Sequence, residues 1–350
     1  MTTREPGWEP DVLPGYWQRT FPLGLDPDGE GELFATLVRR GDAIIGRHAV
    51  VALHGYTDYF FNIELADHFN ARGFAFYALD LHKCGRSRRD GQTPHFTTNL
   101  ASYDTELEQA LAAVATDTGG AKVCIYGHSA GGLIAPLWLD RARQRARLDV
   151  LNITGLVLNS PFFDLQGPAI LRAAPTSAAL LALGRWRKLK VIRKPTAGGY
   201  GTTLHRDYAG DFDYNLDWKP LGGFPVTFGW INAVRRGQAK LHRGLDVGVP
   251  NLILRSDHSV PEISVPEIGP EGQAPEAMQR GDAVLDVTQI ARWAGCVGNR
   301  TTVVPITDAK HDVFLSLPEP RAAAYRELAT WLDYYLSTDS TSSSTPTGRG

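Results

Sequence analysis

A serine flanked by glycines lies in the segment Gly127-His128-Ser129-Ala130-Gly131, between an apolar run and a segment of helical spacing. This strand, turn and helix pattern exposes a nucleophilic hydroxyl on a sharp turn. Side chains at Gly127 and Gly131 would collide with the neighbouring strand or helix when the turn tightens. The following helix directs its positive end towards the serine, and the backbone N–H of Ala130 can stabilise an oxyanion. The pattern predicts that Ser129 is a nucleophile.

A serine hydroxyl is a weak nucleophile at neutral pH, so Ser129 needs a general base, and histidine most often takes this role. Among ten histidines, His311 is the candidate because it follows a predicted strand over 301–306. A loop that leaves this strand can carry the imidazole over the serine. His128 lies next to the nucleophile, and its side chain is expected to point away from that of Ser129. We interpret His128 as a packing or hydrogen-bonding residue.

An acid must orient this histidine and hold its tautomer. Asp257 and Asp282 both follow a predicted strand over 251–254. Asp282 precedes His311 by 29 residues, close to the roughly 30 that a helix, a strand and their connections require. This spacing favours Asp282, for which a helix-capping role is the structural alternative. Asp257 stays open as the alternative acid, and Asp286 is a third candidate.

A second oxyanion donor is predicted in the loop after the strand over 49–53, which ends in His54-Gly55-Tyr56-Thr57-Asp58. Enzymes with an exposed serine on a strand-to-helix turn often take this donor from such a loop. The backbone N–H of Tyr56 is therefore the expected partner of the Ala130 N–H. Gly55 allows the backbone to approach closely, and His54 is predicted to be structural.

Apolar runs alternate with segments of helical spacing, which predicts an α/β fold with a mostly parallel central sheet and helices on both faces. The first expected strand is antiparallel to the others. The expected strands cover 33–38, 49–53, 75–79, 122–126, 155–158, 251–254 and 301–306. The expected helices cover 62–72, 100–115, 131–145, 285–294 and 321–336.

Two stretches interrupt this alternation. Residues 161–229 are rich in aromatic and turn residues and are predicted to form a cap over the carboxyl edge of the sheet, where open α/β sheets bind ligands. Residues 257–280 are rich in proline and glycine and are predicted to be an irregular insertion. The core is then expected to comprise 1–160 and 230–336, with a disordered tail over 337–350.

Composition restricts the function classes. The net charge of −2 gives no basic field for nucleic acid, and no apolar run is long enough for stable membrane insertion. The first residues lack the layout of a secretory signal, so a cytoplasmic location is expected.

No disulfide framework, metal or cofactor is expected, because the chemistry needs only side chains and water. The cysteines, Cys84, Cys124 and Cys296, have unrelated spacings. The oligomeric state stays open.

Several motifs in chain order resemble the α/β-hydrolase fold, and within it the monoglyceride lipase and lysophospholipase-like, serine aminopeptidase S33-like branch of serine hydrolases. The resemblance spans about residues 16–336 and is carried by Leu53-His54-Gly55-Tyr56, Leu79-Asp80-Leu81-His82-Lys83-Cys84-Gly85-Arg86-Ser87, Gly127-His128-Ser129-Ala130-Gly131-Gly132, Asn159-Ser160-Pro161, Tyr214-Asn215-Leu216-Asp217, Gly281-Asp282-Ala283-Val284 and His311-Asp312.

This resemblance implies that Ser129, Asp282 and His311 form a triad, that Tyr56 and Ala130 supply the oxyanion N–H groups, and that 161–229 covers an acyl pocket. The chain departs from the family pattern in the 257–280 insertion, which moves the acid away from its strand. It also departs at His82-Lys83-Cys84, before Gly85. Both departures can reshape the mouth of the pocket, so a long-chain monoacylglycerol is not assumed as the substrate.

The leading hypothesis is a carboxylic ester hydrolase that forms an acyl-enzyme on Ser129, with His311 as base and then acid. Apolar side chains of the expected cap, including Leu180-Leu181-Ala182-Leu183, favour an apolar acyl or aromatic substrate, although they can equally form the core of the cap. An acyltransferase or cyclase would use the same acyl-enzyme. A peptidase and a non-catalytic ligand receptor are further alternatives. The basic run over 185–194 is either a solvated face or a surface for anionic lipid.

Overall fold

A computed structural model describes residues 7–41, 48–167, 184, 186–262 and 275–336. Its main sheet has nine strands in the order β1-β2-β3-β5-β4-β6-β7-β10-β11. These strands are β1 (Glu9–Pro10), β2 (Tyr16–Leu25), β3 (Glu32–Arg40), β4 (His48–Leu53), β5 (Phe74–Asp80), β6 (Lys122–His128), β7 (Ile153–Asn159), β10 (Asn251–Ser256) and β11 (Thr301–Ile306). A small second sheet pairs β8 (Val191–Arg193) with β9 (Val226–Thr227).

The α-helices with described bounds flank the main sheet or connect its strands. They are α1 (Ile63–Ala71), α2 (Asp104–Thr118), α3 (Gly131–Gln144), α4 (Phe228–Leu241), α5 (Glu276–Arg280), α6 (Val287–Trp293) and α7 (Pro318–Tyr335). All five helices expected from the sequence are present. The structure adds α4, whose first residues fall inside the predicted cap range, and the short α5, at the end of the stretch predicted to be irregular.

The strands from β5 to β11 in the sheet order are mutually parallel, whereas β1, β2 and β3 are antiparallel to their neighbours. This arrangement confirms the mostly parallel α/β sheet and the antiparallel first strand that the sequence predicts. The long strand β2 was not predicted. It contains Pro22 and shifts register before Gly24, and both residue types weaken a strand pattern.

Alternation along β4 directs side chains to both faces of the sheet. Val51 joins an apolar cluster that includes Leu107 of α2 and Trp138 of α3. Val50 joins a second cluster that includes Phe69 of α1 and Leu328 of α7. Because both faces are covered by helices, the central strands β4 and β5 are apolar at nearly every position, as expected for a doubly covered sheet.

The chain leaves β4 for β5 on one side and then crosses to β6 on the other side of β4. This reversal of strand order makes the carboxyl ends of β4 and β6 a topological switch point, where open α/β sheets form ligand sites. The loops that follow β10 and β11 leave from the same edge, since all four strands are parallel. The fold therefore brings the predicted functional loops together.

Some predictions fall outside the described residues: the leucine-rich 180–183, Arg185 of the basic run and the tail over 337–350. The cysteines Cys84, Cys124 and Cys296 are all free. Within the described ranges, no helix has the length and apolar character needed to cross a membrane.

The core packing predicts a large penalty for Trp138→Ala. The Trp138 side chain is 1% exposed, whereas Trp186 is 87% exposed. Truncation at Trp138 should lower the free energy of unfolding by about 3–5 kcal/mol, because it removes buried apolar surface and leaves a cavity. Trp186→Ala should stay within about 0.5 kcal/mol of wild type. Urea denaturation of both variants measures the difference, and equal losses would contradict the placement of α3 in the core.

Candidate active site

Ser129 lies on the turn between β6 and α3, at the carboxyl edge of the sheet. Its φ is 52°, in the left-handed region that non-glycine residues rarely adopt. The Ser129 N–H donates to the carbonyl oxygen of Asn159 at 3.0 Å, and its own carbonyl accepts from the N–H of Phe162 at 2.9 Å. Backbone contacts with β7 and with the segment after it therefore hold the strained residue in place.

Glycines surround this turn because side chains would not fit. A Cβ at Gly127 would lie 2.6 Å from the carbonyl oxygen of Gly131. A Cβ at Gly131 would lie 2.6 Å from the carbonyl oxygens of Leu53 and His54. These clashes confirm the steric reason that the sequence suggests for both glycines. The turn is pressed directly against the end of β4.

His311 and Asp282 meet at a buried hydrogen bond. The Nδ1 atom of His311 lies 2.9 Å from Oδ2 of Asp282, and both side chains are buried. Oδ1 of Asp282 accepts from the N–H groups of Val284 and Leu285, each at 2.8 Å. A carboxylate only accepts hydrogen bonds, so it fixes the proton of His311 on Nδ1. Asp282 thus contacts the histidine and also stabilises its own turn, whereas the cap of the following helix is Asp286 rather than Asp282.

The other ring nitrogen of His311 is free to act as a base. Nε2 is buried and has no hydrogen-bond partner among the described residues, so it is not bonded to Ser129 in this conformation. The His311 ring packs against His128 at 4.9 Å and against the edge of Tyr200 at 5.9 Å between ring centroids. His311 and Ser129 line the same pocket. Hydrogen bonds of this kind often tighten only when substrate binds.

The alternative acids lie elsewhere. Oδ1 of Asp257 is 2.7 Å from Nδ1 of His258 and accepts from the N–H of Asp308 at 3.1 Å, on a partly exposed surface. Asp286 accepts from the N–H of Thr288 and caps α6. The structure therefore pairs His311 with Asp282 rather than with either alternative.

The 257–280 stretch does not separate Asp282 from its strand in space. The N–H of Asp282 donates to the carbonyl of His258 at 3.1 Å, and the N–H of Val260 donates back to Asp282 at 2.9 Å. This short parallel bridge, Ser259 with Asp282, returns the chain to the end of β10. The carboxylate consequently reaches the sheet edge despite the intervening residues.

The two predicted oxyanion donors flank Ser129. The backbone N–H groups of Tyr56 and Ala130 donate no hydrogen bond within the described part of the chain. A Cβ at Gly55 would lie 2.9 Å from Cβ of Ser129, which places the loop after β4 directly beside the serine. The N–H of Leu81 donates to Nε2 of His54, so Nδ1 carries the proton and donates to the carbonyl of Gly55 at 2.8 Å. His54 therefore has the structural surroundings that the sequence predicts.

The pocket above Ser129 has a volume of about 330 Å³. Much of its wall is apolar, including Phe162, Phe224, Val226, Trp230, Ile231 and Leu285. The Tyr56 ring packs against Trp230 with centroids 3.9 Å apart. The wall also contains two ion pairs, Asp58 with Lys219 and Arg193 with Glu262, each at 2.7 Å. The pocket can thus accept an apolar group beside Ser129.

Sequence reasoning assigned no role to Asp58, Lys219 or Tyr200. Burial alone would raise the pKa of the Asp58 carboxyl, but the Lys219 ammonium, His128 and His54 outweigh this effect and lower it to about 2. The hydroxyl of Tyr200 accepts from the N–H of Asp312, next to His311. Each of these contacts joins residues more than 100 positions apart, so no local motif signals them.

Three side chains of metal-ligand type also meet at His54, Cys84 and His95. Sγ of Cys84 is 3.1 Å from Nδ1 of His95, and both nitrogens of His54 are already hydrogen-bonded. Burial raises the pKa of the Cys84 thiol well above its usual value. Because backbone groups already use both nitrogens of His54, the described conformation leaves only Cys84 and His95 as donors, fewer protein ligands than a zinc site takes.

Comparisons with known proteins address the family and the fold of the chain. The sequence model of the family described as serine aminopeptidase, S33, matches residues 46–259. A search of curated proteins finds no match to the chain.

Solved structures with the same overall fold include lipases and an esterase. A soluble variant of monoglyceride lipase from Saccharomyces cerevisiae, in complex with a substrate analog, is 15% identical, with a TM-score of 0.58 over 95% of this chain and 96% of that one. A carboxyl esterase from Bacillus coagulans is 14% identical, with a TM-score of 0.58 over 93% and 100% of the two chains. Monoacylglycerol lipase from Paleococcus ferrophilus is 17% identical, with a TM-score of 0.55 over 91% and 99%. These likenesses confirm the predicted α/β-hydrolase fold.

The packing of the serine turn predicts that Gly131→Ala is destabilising. The new methyl group would meet two backbone carbonyls, which cannot rotate away, so the free energy of unfolding should fall by about 1–3 kcal/mol. Gly295→Ala is the control, because a Cβ there meets no atom within 4 Å, and it should leave stability unchanged or raise it by up to about 1 kcal/mol. Chemical denaturation compares the two variants. Equal stability would show that the turn does not press against β4.

Proposed function

The chain belongs to the serine aminopeptidase S33 family, and from this premise we propose that it hydrolyses carboxylic esters with an apolar acyl or aromatic group through an acyl-enzyme on Ser129. One observation carries the proposal. His311, whose Nε2 has no hydrogen-bond partner in the described part of the chain, and the strained Ser129 line one pocket. A buried Asp282 carboxylate holds the opposite nitrogen of the imidazole.

Acylation begins when Nε2 of His311 takes the hydroxyl proton of Ser129 as Oγ attacks the ester carbonyl. The Asp282 carboxylate stabilises the imidazolium that results. The backbone N–H groups of Tyr56 and Ala130 stabilise the tetrahedral oxyanion, because they donate no hydrogen bond to the described residues and need no rearrangement. His311 then gives its proton to the leaving alcohol, and the acyl group stays on Ser129.

Deacylation repeats these steps with water. His311 takes a proton from a water molecule, which attacks the acyl carbonyl, and the same two N–H groups stabilise the second oxyanion. Collapse of this intermediate returns the proton to Ser129 Oγ and releases the carboxylic acid. Side chains, backbone and water account for every proton in both steps.

The pocket lining favours an ester over a peptide with a free amino terminus. Recognition of a protonated amine requires a carboxylate that is available to it. The carboxylates on the described pocket wall, Asp58 and Glu262, are already paired with Lys219 and Arg193. The remaining wall around Phe162 and Trp230 suits an apolar group.

Residues 161–229 are proposed to form the cap of this pocket. Phe162, Tyr200, Lys219 and Phe224 belong to this range and line the pocket together with Ser129 from the core. The helix α4 begins at Phe228, close to the proposed end of the cap at residue 229.

Replacement of the nucleophile tests the proposal. Ser129→Ala should lower kcat/KM for a short p-nitrophenyl ester by at least about 10³-fold, because no acyl-enzyme can form. It should also abolish the mass increase that a fluorophosphonate produces in the intact protein. Ser102→Ala removes a serine hydroxyl that contacts Asn99 outside the pocket, and it should react like wild type. Full activity of Ser129→Ala would refute the proposed function.

The assignment of the acid is tested by a pair of isosteric variants. Asp282→Asn should slow both hydrolysis and fluorophosphonate labelling by at least about 10²-fold, because the amide no longer holds the correct histidine tautomer. Asp257→Asn should retain wild-type rates, since Asp257 contacts His258 and Asp308 instead. The two labelling rates are measured side by side. A loss confined to Asp257→Asn would reverse the assignment.

A further inference from the structure

A buried ion pair links the proposed cap to the loop that carries Tyr56. Nζ of Lys219 lies 2.7 Å from Oδ1 of Asp58. The residues are only 9% and 7% exposed, and the ammonium lies over the rings of Phe61 and Tyr214, at 5.4 and 5.8 Å from their centroids. The contact therefore joins two segments that are 161 residues apart in the sequence.

The same carboxylate closes the turn over residues 55–58. Oδ2 of Asp58 accepts from the N–H of Gly55 at 3.4 Å. Thr57, inside this turn, has a φ of 55°, an uncommon conformation for a threonine. A strained backbone persists only where its surroundings hold it. Asp58 thus holds the turn from within, and Lys219 holds Asp58 from the proposed cap.

Two more contacts attach this turn to the same part of the proposed cap. The hydroxyl of Tyr56 donates to the carbonyl of Pro225 at 2.6 Å, and the N–H of Phe224 donates to Oγ1 of Thr57 at 2.9 Å. Tyr56, Thr57 and Asp58 are consequently each bonded to the 219–225 segment. The backbone N–H of Tyr56 lies within this bonded turn.

We propose that Lys219 is a positioning residue that acts through Asp58 to aim the Tyr56 N–H at the oxyanion. The 219–225 segment then completes the oxyanion hole in addition to covering the pocket. This inference rests on the proposed function, because the Tyr56 N–H matters only if an oxyanion forms beside Ser129.

Electrostatics explain why Lys219 is needed at this position. Asp58 is enclosed by His54 at the end of β4, by His128 of β6 and by Lys219, and these groups keep its pKa low in spite of burial. Neither histidine is within hydrogen-bond distance of the carboxylate, whereas Lys219 is. Without Lys219, the buried Asp58 carboxylate would lose its hydrogen-bonded cation. This loss would favour opening of the turn over residues 55–58, because the unpaired carboxylate could then be hydrated.

Lys219 also lines the pocket, so a direct contact with substrate is the competing explanation. The two explanations differ in kinetics. A group that shapes only the oxyanion hole acts in the transition state, so its loss lowers kcat and leaves KM unchanged. A group that binds the substrate itself changes KM.

The experiment compares Lys219→Met with Lys219→Arg in the full chain, with Lys190→Met as the control for an exposed lysine in the same proposed cap. Steady-state kinetics use a short p-nitrophenyl ester. Inhibition uses an alkyl trifluoromethyl ketone, whose adduct with Ser129 places an oxyanion against the same donors. Lys219→Met should lower kcat by about 10- to 100-fold with KM unchanged, and should weaken the inhibitor by the same factor.

Lys219→Arg keeps the cation and should recover most of kcat, and Lys190→Met should match wild type in both assays. The double variant Asp58→Asn/Lys219→Met removes both charges, so it should be as slow as Lys219→Met yet unfold at a higher temperature.

Tyr56→Phe breaks another contact of the same turn without a change in charge. It should fold even where Lys219→Met does not, and it should lower kcat several-fold with KM unchanged.

Other results would overturn the inference. A higher KM with unchanged kcat in Lys219→Met would assign Lys219 to substrate binding. A lower melting temperature with unchanged kcat and inhibition would assign it to stability alone, and an unchanged kcat in Tyr56→Phe would show that the turn is not held from the proposed cap. Hydrolysis that depends on Ser129 but not on Lys219 would remove this inference and leave the proposed function intact. A wild type that neither hydrolyses the ester nor reacts with the fluorophosphonate would overturn both.

Discussion

The close approach of two backbone turns, one after β4 and one after β6, is the constraint on which the site depends. Gly131 lies against the carbonyls of Leu53 and His54, and Gly55 lies against the Cβ of Ser129. No side chain larger than hydrogen fits at these contacts. Because β4 and β6 are adjacent and parallel, with Leu53 opposite Gly127, the loop that carries Tyr56 and the turn that carries Ser129 and Ala130 meet at one place.

The histidine and its acid reach the same edge by a different route. Their loops follow β10 and β11, which are adjacent parallel strands with Ser256 opposite Ile306. The bridge between Ser259 and Asp282 joins the two ends of the intervening loop, so the loop begins and ends at the same point of the sheet. The length of this loop has little effect on the position of the Asp282 carboxylate, since the entropic cost of loop closure rises only slowly with the number of residues in the loop. An insertion at this position is therefore compatible with a fixed orientation of His311.

Features that depend on interactions between residues close in sequence could be predicted from the sequence, whereas those that depend on contacts between distant residues could not. Ser129 and its glycines were identifiable because the strained turn leaves a local signature. The mostly parallel sheet could be anticipated because apolar runs mark strands that are covered on both faces. Strand β2 could not be predicted because Pro22 and Gly24 interrupt its apolar pattern. The contacts of Lys219 with Asp58 and of Tyr200 with Asp312 could not be predicted either, because each joins distant parts of the chain. The pairing of His311 with Asp282 was favoured from spacing alone, but the spacing could not exclude Asp257.

The buried ion pair between Asp58 and Lys219 is better explained by the position that it gives the turn over residues 55–58 than by a contribution to the free energy of unfolding. Desolvation offsets much of the attraction in such pairs, and apolar replacements of similar volume are often equally stable. An apolar contact, however, would tolerate small sliding of the 219–225 segment over the turn, because dispersion has little directional preference. A hydrogen-bonded ion pair restricts both distance and direction. Oxyanion stabilisation requires donors that lie about 2.7–3.1 Å from the developing charge, so a small displacement of the Tyr56 N–H would weaken it. A directional contact beside Tyr56 limits that displacement.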